Sequence, residues 1–149
     1  MYVDAPGIFS LSFEGRYGRL NYANAAWIAK VVLIVGFLIS IKNPNFLFLL
    51  IPLLLVYTFR ITALRLHDLN LPAWYSIPRL LLPVILALAE ADVFSALIYV
   101  IFELLLLIYP GNEGSNNYGP RSEQGNVYGL VLICLAVPRL VIGFLADVS

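Results

Sequence analysis

The sequence predicts an all-α fold, a polytopic transmembrane helix bundle of about five spans with its N-terminus cytoplasmic. Three observations lead there. First, of 149 residues 61% are hydrophobic and only 12% charged, with mean hydropathy +0.89. A soluble domain runs at about 45–50% apolar and about 25% charged. Second, the apolar runs are continuous and lack the period-2 alternation of a barrel strand. Third, the cations alternate with the connections along the chain.

The same arithmetic excludes whole classes of function. Nine Lys+Arg against nine Asp+Glu leave no net positive field, so no nucleic-acid partner is expected. The composition is too apolar for disorder. Cys134 stands alone and cannot form an internal disulfide. One histidine, His67, and one cysteine fall short of a structural zinc set. No cofactor is expected.

The elements follow in order. Met1-Tyr2-Val3-Asp4 offers no basic segment ahead of an apolar one, so the first helix is expected to remain as a signal anchor. Residues 7–20 mix Ile8, Phe9, Leu11 and Phe13 with Glu14, Arg16 and Arg19. Two readings stand for them: a segment lying at the membrane interface, or a flexible tail. Five stretches have the length and apolarity of spans: Tyr22 to Ile41, Asn45 to Leu66, Trp74 to Ala89, Val93 to Tyr109 and Val127 to Ala146. The third carries Pro78 and Pro83 and the fifth Pro138-Arg139, so these two are the places where a kink or break is expected. The expected organisation is an interfacial segment over 1–21, a four-span membrane domain over 22–126 and an additional transmembrane helix over 127–149.

Lys and Arg in short connections set orientation. Arg16, Arg19, Arg65, Arg79 and Arg121 fall on one side of the alternation, Lys42 on the other. The first side is therefore expected to be cytoplasmic. Tyr17, Trp27, Trp74, Tyr75, Tyr109, Tyr118 and Tyr128 fall near the same boundary, where amphipathic rings settle.

Three polar segments are expected to meet on that face: Phe13 to Tyr22, Arg65 to Asp68 with Trp74-Tyr75, and Pro110 to Pro120. They resemble the YhaH-like family of small bacterial inner-membrane proteins, domain-of-unknown-function family 805. The resemblance rests on Phe13, Gly15, Arg16, Arg19 and Tyr22; on Arg65-Leu66-His67-Asp68 with Trp74 and Tyr75; and on Pro110, Gly111, Gly114, Asn116, Tyr118, Gly119 and Pro120. Leu64 and Ala23 depart from the family pattern, which carries Arg and often Trp there. The resemblance implies a bacterial inner-membrane protein, which the five apolar stretches make multi-pass. It implies no reaction.

Within the motifs, His67 oriented by Asp68 is one reading, a proton acceptor near neutrality. In the other, Arg65 binds lipid phosphate or the Asn-rich loop while Asp68 pairs with Arg16 or Arg19. The second is preferred, since no nucleophile or second base stands at telling spacing. The Gly-rich segment lacks the Gly-Lys-Ser/Thr of a P-loop and reads as an ordered turn. Arg16 and Arg19, one helical turn apart if helical, could then face the same way; contact with anionic lipid is expected more than pairing with Asp68 or Glu113, in a mixture of the two.

Charges inside the spans are costly and usually paired. Glu103 is expected to pair with Lys30, Arg60 or Arg139; snorkelling to the interface serves as well for Lys30, Arg60 and Arg79. No enzyme is expected. The leading reading is an accessory or structural subunit whose partners are membrane lipids and other membrane subunits or copies of itself. The alternative is a small oligomeric transporter or channel.

Overall fold

The computed structural model describes residues 4–123 and 125. The fifth expected span, Arg139 and Tyr128 lie outside the described residues. Within them the fold is helical: α1 (Arg19–Lys42), α2 (Phe46–Asp68), a 3-10 turn (Ala73–Tyr75), α3 (Ser76–Leu88) and α4 (Asp92–Ile108). No strand occurs among the described residues; Asn116 and Gly119 form an isolated bridge.

Local chemistry explains the boundaries. α1 begins after Gly18, whose backbone is extended at ψ 166. It ends on Lys42, a cation at the negative end of the helix dipole, and Asn43-Pro44 cannot continue it. α2 carries Pro52 inside, tolerable where neighbouring groups absorb a freed carbonyl. Its end is a Schellman turn: Leu71 N–H donates to Leu66 O at 2.9 Å, Asn70 N–H to His67 O at 3.0 Å, and Asn70 is left-handed at φ 59. α3 closes similarly, with Ala91 N–H donating to Leu86 O at 2.9 Å and Glu90 left-handed at φ 57. Asp92 then opens α4 at the positive end of its dipole. Tyr109 is extended at ψ 129 ahead of Pro110, which stops the helix.

Two boundaries differ from expectation. The third stretch is shorter than Trp74 to Ala89 because Trp74 and Tyr75 belong to the 3-10 turn. Residues 5–18 are neither a helix nor a loose tail. They lie against α2 as irregular chain with a turn over Gly7 to Ser10, joined by Tyr17 N–H to Leu64 O at 2.9 Å.

α1 packs on α2 and α3 on α4, with α2 touching α3 and α1 touching α4. The starts of α1 and α3 and the ends of α2 and α4 gather at one end. The apolar core sits there, built on Tyr17, Tyr22, Ala25, Ala26, Ile61, Leu64, Leu66 and Leu106.

Polarity is inverted relative to a soluble protein. The described buried set includes Arg16, Arg60, Arg65, Arg79, Asp68 and Glu103, while Phe48, Leu49, Leu53, Leu88, Val93 and Phe94 are exposed. α1 and α2, with 24 and 23 residues, are long and apolar enough to cross a membrane.

The left-handed Glu90 carries a steric cost that glycine escapes. Glu90→Gly is therefore expected to raise stability by about 0.5–1 kcal/mol. Thermal unfolding in detergent checks this; a lower midpoint contradicts the turn geometry.

Candidate functional site

The site is built on Asp68, the last residue of α2. A carboxylate at a helix C-terminus opposes the dipole, so it needs cations. Two arginines supply them. Arg16 donates to Oδ1 from Nε at 3.1 Å and from Nη2 at 2.9 Å. Arg65, one turn earlier in α2, donates to Oδ2 from Nη1. All three side chains are buried.

The remaining guanidinium donors tie chain segments together. Arg16 reaches Gly114 O at 2.7 Å, Gly119 O at 3.1 Å and Asn112 O at 2.6 Å. Its five N–H groups thus meet five acceptor contacts. Arg65 reaches Leu106 O at 2.7 Å, Tyr17 O at 3.4 Å and Tyr109 O at 2.5 Å. Leu106 lies in the last turn of α4 and Tyr109 just beyond it, so Arg65 caps the negative end of that helix. Two cations and one anion leave one positive charge, and oriented carbonyl dipoles surround it.

The Gly-rich segment folds onto this centre. Asn112 N–H donates to Asp68 O at 2.9 Å. Asn116 donates from Nδ2 to His67 O at 2.7 Å and accepts from Tyr118 N–H at 2.9 Å. Tyr118 stacks on the His67 ring, centroids 3.8 Å apart and nearly parallel. His67 Nδ1 lies 3.3 Å from Gly15 O. Gly111 is required sterically, since a Cβ there would strike the Asp68 carboxylate.

Arg60 organises the arm on its other side. It donates to Ser12 O at 2.8 Å, Ile8 O at 3.1 Å and Gly7 O at 3.0 Å. Tyr17 O–H donates to Pro6 O at 3.0 Å. Burial pushes that phenol above its usual pKa despite the nearby Arg60, so it stays a protonated donor.

A second charged group lies deeper between the helices. Glu103 accepts from Lys30 at 2.8 Å on Oε1, and from Arg79 at 2.5 Å and the Tyr22 hydroxyl at 3.1 Å on Oε2. Arg79 also donates to Thr62 Oγ1 at 2.8 Å. Lys30 keeps its side chain 36% exposed while Arg79 is almost wholly enclosed.

Several expectations change here. Arg16 and Arg19 do not share a face: Arg16 precedes the helix and is buried, whereas Arg19 opens α1 and is exposed. Arg16 and Arg65 spend their donors inside the fold and are too buried to meet lipid headgroups. Asp68 binds the arginines and does not orient His67, whose ring nitrogen meets a backbone carbonyl instead. Arg60 pairs with carbonyls and not with Glu103. Trp74 stacks on Tyr75 at 4.0 Å and stays exposed.

Arg79 and Tyr22 are the residues sequence reasoning missed. A snorkelling role was adequate for Arg79 by depth alone. Its spacing from Glu103 across the short α3–α4 turn was the available signal. Among the described residues no group of three or more His, Cys, Asp or Glu is arranged to hold a metal ion.

The fold and site define a class: a small helical protein with charged groups inside and an apolar exterior. The family described as "Protein of unknown function (DUF805)" matches residues 10–120, and the chain belongs to it. No curated protein and no solved structure matches.

Removing one member of a buried charge network strands the others, at about 3–5 kcal/mol. Asp68→Asn is expected to destabilise by that order, and Arg16→Lys to fail as a replacement because an ammonium cannot reproduce the planar fork. Denaturant titration in mixed micelles measures both; a loss under about 1 kcal/mol for either contradicts the centre's structural role. Glu103→Gln is expected to cost a similar amount, by leaving Lys30 and Arg79 without a counter-charge.

Proposed function

We propose that this protein is a multi-pass integral membrane protein of the bacterial inner membrane, with its N-terminus and Asp68 centre at the cytoplasmic face. It acts as an accessory or structural subunit, packing against other membrane subunits or copies of itself, and not as an enzyme.

The inverted polarity is the observation that carries this reading. In hydrocarbon, polar groups must be satisfied internally while apolar surface needs no cover. Buried arginines paired with carboxylates and carbonyls, Arg16 with all five donors engaged, inside a surface of exposed Phe, Leu and Val, suit that solvent. In water the same exterior would aggregate. Orientation is supported by Arg16, Arg19, Arg65 and Arg121 lying toward the gathered helix ends. α3 and α4 have 13 and 17 residues, about 20 and 26 Å at 1.5 Å per residue. We read them as a spanning hairpin about 10 and 4 Å shorter than the hydrocarbon core of about 30 Å, accommodated by local thinning and by the flanking residues. The expected fifth span, over 127–146, lies outside the described residues.

A subunit role is supported by how the polar groups are used. The Asp68 centre holds the chain's own segments together and presents no nucleophile–base pair. What remains outside is a lipid-compatible surface, the kind on which transmembrane subunits pack.

Single cysteines in a Cys134→Ser background test the topology. Gly114→Cys is expected to react with an impermeant thiol reagent only after the inner membrane is opened, and Ala91→Cys in intact spheroplasts. The opposite pattern overturns the orientation. Extraction in mild detergent is expected to recover a stoichiometric membrane subunit or a homo-oligomer; a lone monomer overturns the subunit role.

A further inference from the structure

A cavity of about 230 Å³ lies between the helices, beside the Lys30–Glu103–Arg79 group. Its walls are otherwise largely apolar, with Leu33, Leu54 and Tyr99 among them. We propose that this cavity binds a single-chain anionic amphiphile, the acyl chain against the apolar wall and a carboxylate or phosphate oxygen against Lys30 and Arg79.

Donor supply argues for an acceptor headgroup. Both Glu103 oxygens are already engaged, by Lys30, Arg79 and Tyr22. The ammonium of Lys30 has three N–H donors, one of them given to Glu103, and its side chain is part-exposed. Arg79 lines the same cavity and is 3% exposed. Its Nε–H is buried without a hydrogen-bond partner among the described residues, although its Nη1 and Nη2 are used. An unmet buried donor of a charged group is costly, and a ligand oxygen at that position would satisfy it.

Charge points the same way. Two cations face one carboxylate, so the group carries one positive charge in a low-dielectric setting, where an anion is favoured. Size limits the chain. The cavity falls below the common range of about 300–1,000 Å³ for ligand pockets, which suits the head-proximal part of one acyl chain and not a two-chain lipid. The membrane reading supplies the source of such a molecule, and the binding assay below requires no particular orientation or number of spans.

The test is native mass spectrometry of the full-length chain, released from neutral detergent after titration with oleate, oleoyl lysophosphatidylglycerol or neutral monoolein. A one-to-one adduct with oleate alone assigns a carboxylate ligand, and with the lysophospholipid alone a phosphate ligand. Adducts with both support the shared chemistry. Lys30→Gln is expected to weaken the adduct about ten- to a hundredfold, the range for a hydrogen bond to a charged group, and Lys30→Arg to retain it. Leu54→Trp, which fills the cavity without touching the charges, is expected to abolish it. No adduct with either anion, equal retention of monoolein, or unchanged binding in both Lys30→Gln and Leu54→Trp overturns the proposal. A topology map that fails while the adduct persists removes the membrane reading and leaves the site.

Discussion

One carboxylate held between two guanidiniums is the constraint on which the rest of this structure depends. Asp68 ends α2, where its charge is least welcome. Arg65 comes from the same helix and Arg16 from the arm before α1. Their remaining donors fall on carbonyls of the arm, the end of α4 and the Gly-rich segment. Four separate stretches of chain are thereby located by two side chains. The planarity of guanidinium makes this possible, since its donors leave in fixed directions within one plane.

This centre explains features that look unrelated in isolation. Residue 111 is glycine because the carboxylate occupies the space a Cβ would need. The arm is held against α2 because Arg60 binds its carbonyls at three points and Tyr17 pairs with Leu64. His67 is held by Tyr118 stacking and the Gly15 carbonyl. Each is a local response to a polar network that must be fully satisfied where the dielectric is low.

The Glu103 group follows the same logic with a different outcome. Its carboxylate is satisfied three times over, but its cations are not all spent. The Asp68 centre is closed on itself; the Glu103 group borders a cavity. That difference in donor accounting separates a structural staple from a place able to receive a ligand.

Helices, their approximate bounds and the meeting of three motifs were legible in the residues themselves. Apolar runs of spanning length and proline or Asn-Pro stops depend only on local chemistry. The pairings were not legible. Depth along a helix placed Lys30 and Arg60, with Arg139, as candidates for Glu103 and left Arg79 to snorkelling, because distance from a helix end says nothing about which face a side chain takes. The packing of α4 against both α3 and α1 decided it, giving Glu103 to Arg79 and Lys30, while Arg60 turned toward the arm. Likewise the spacing of Arg16 and Arg19 suggested one shared face, while helix initiation at Arg19 sent them apart. By itself the sequence determined element type, the apolar character of the helices and which segments carry polar chemistry, since these follow from composition and local sterics. Only the tertiary structure decided which charge meets which, because a guanidinium's partners are set by the geometry of four chain segments brought together from across the chain.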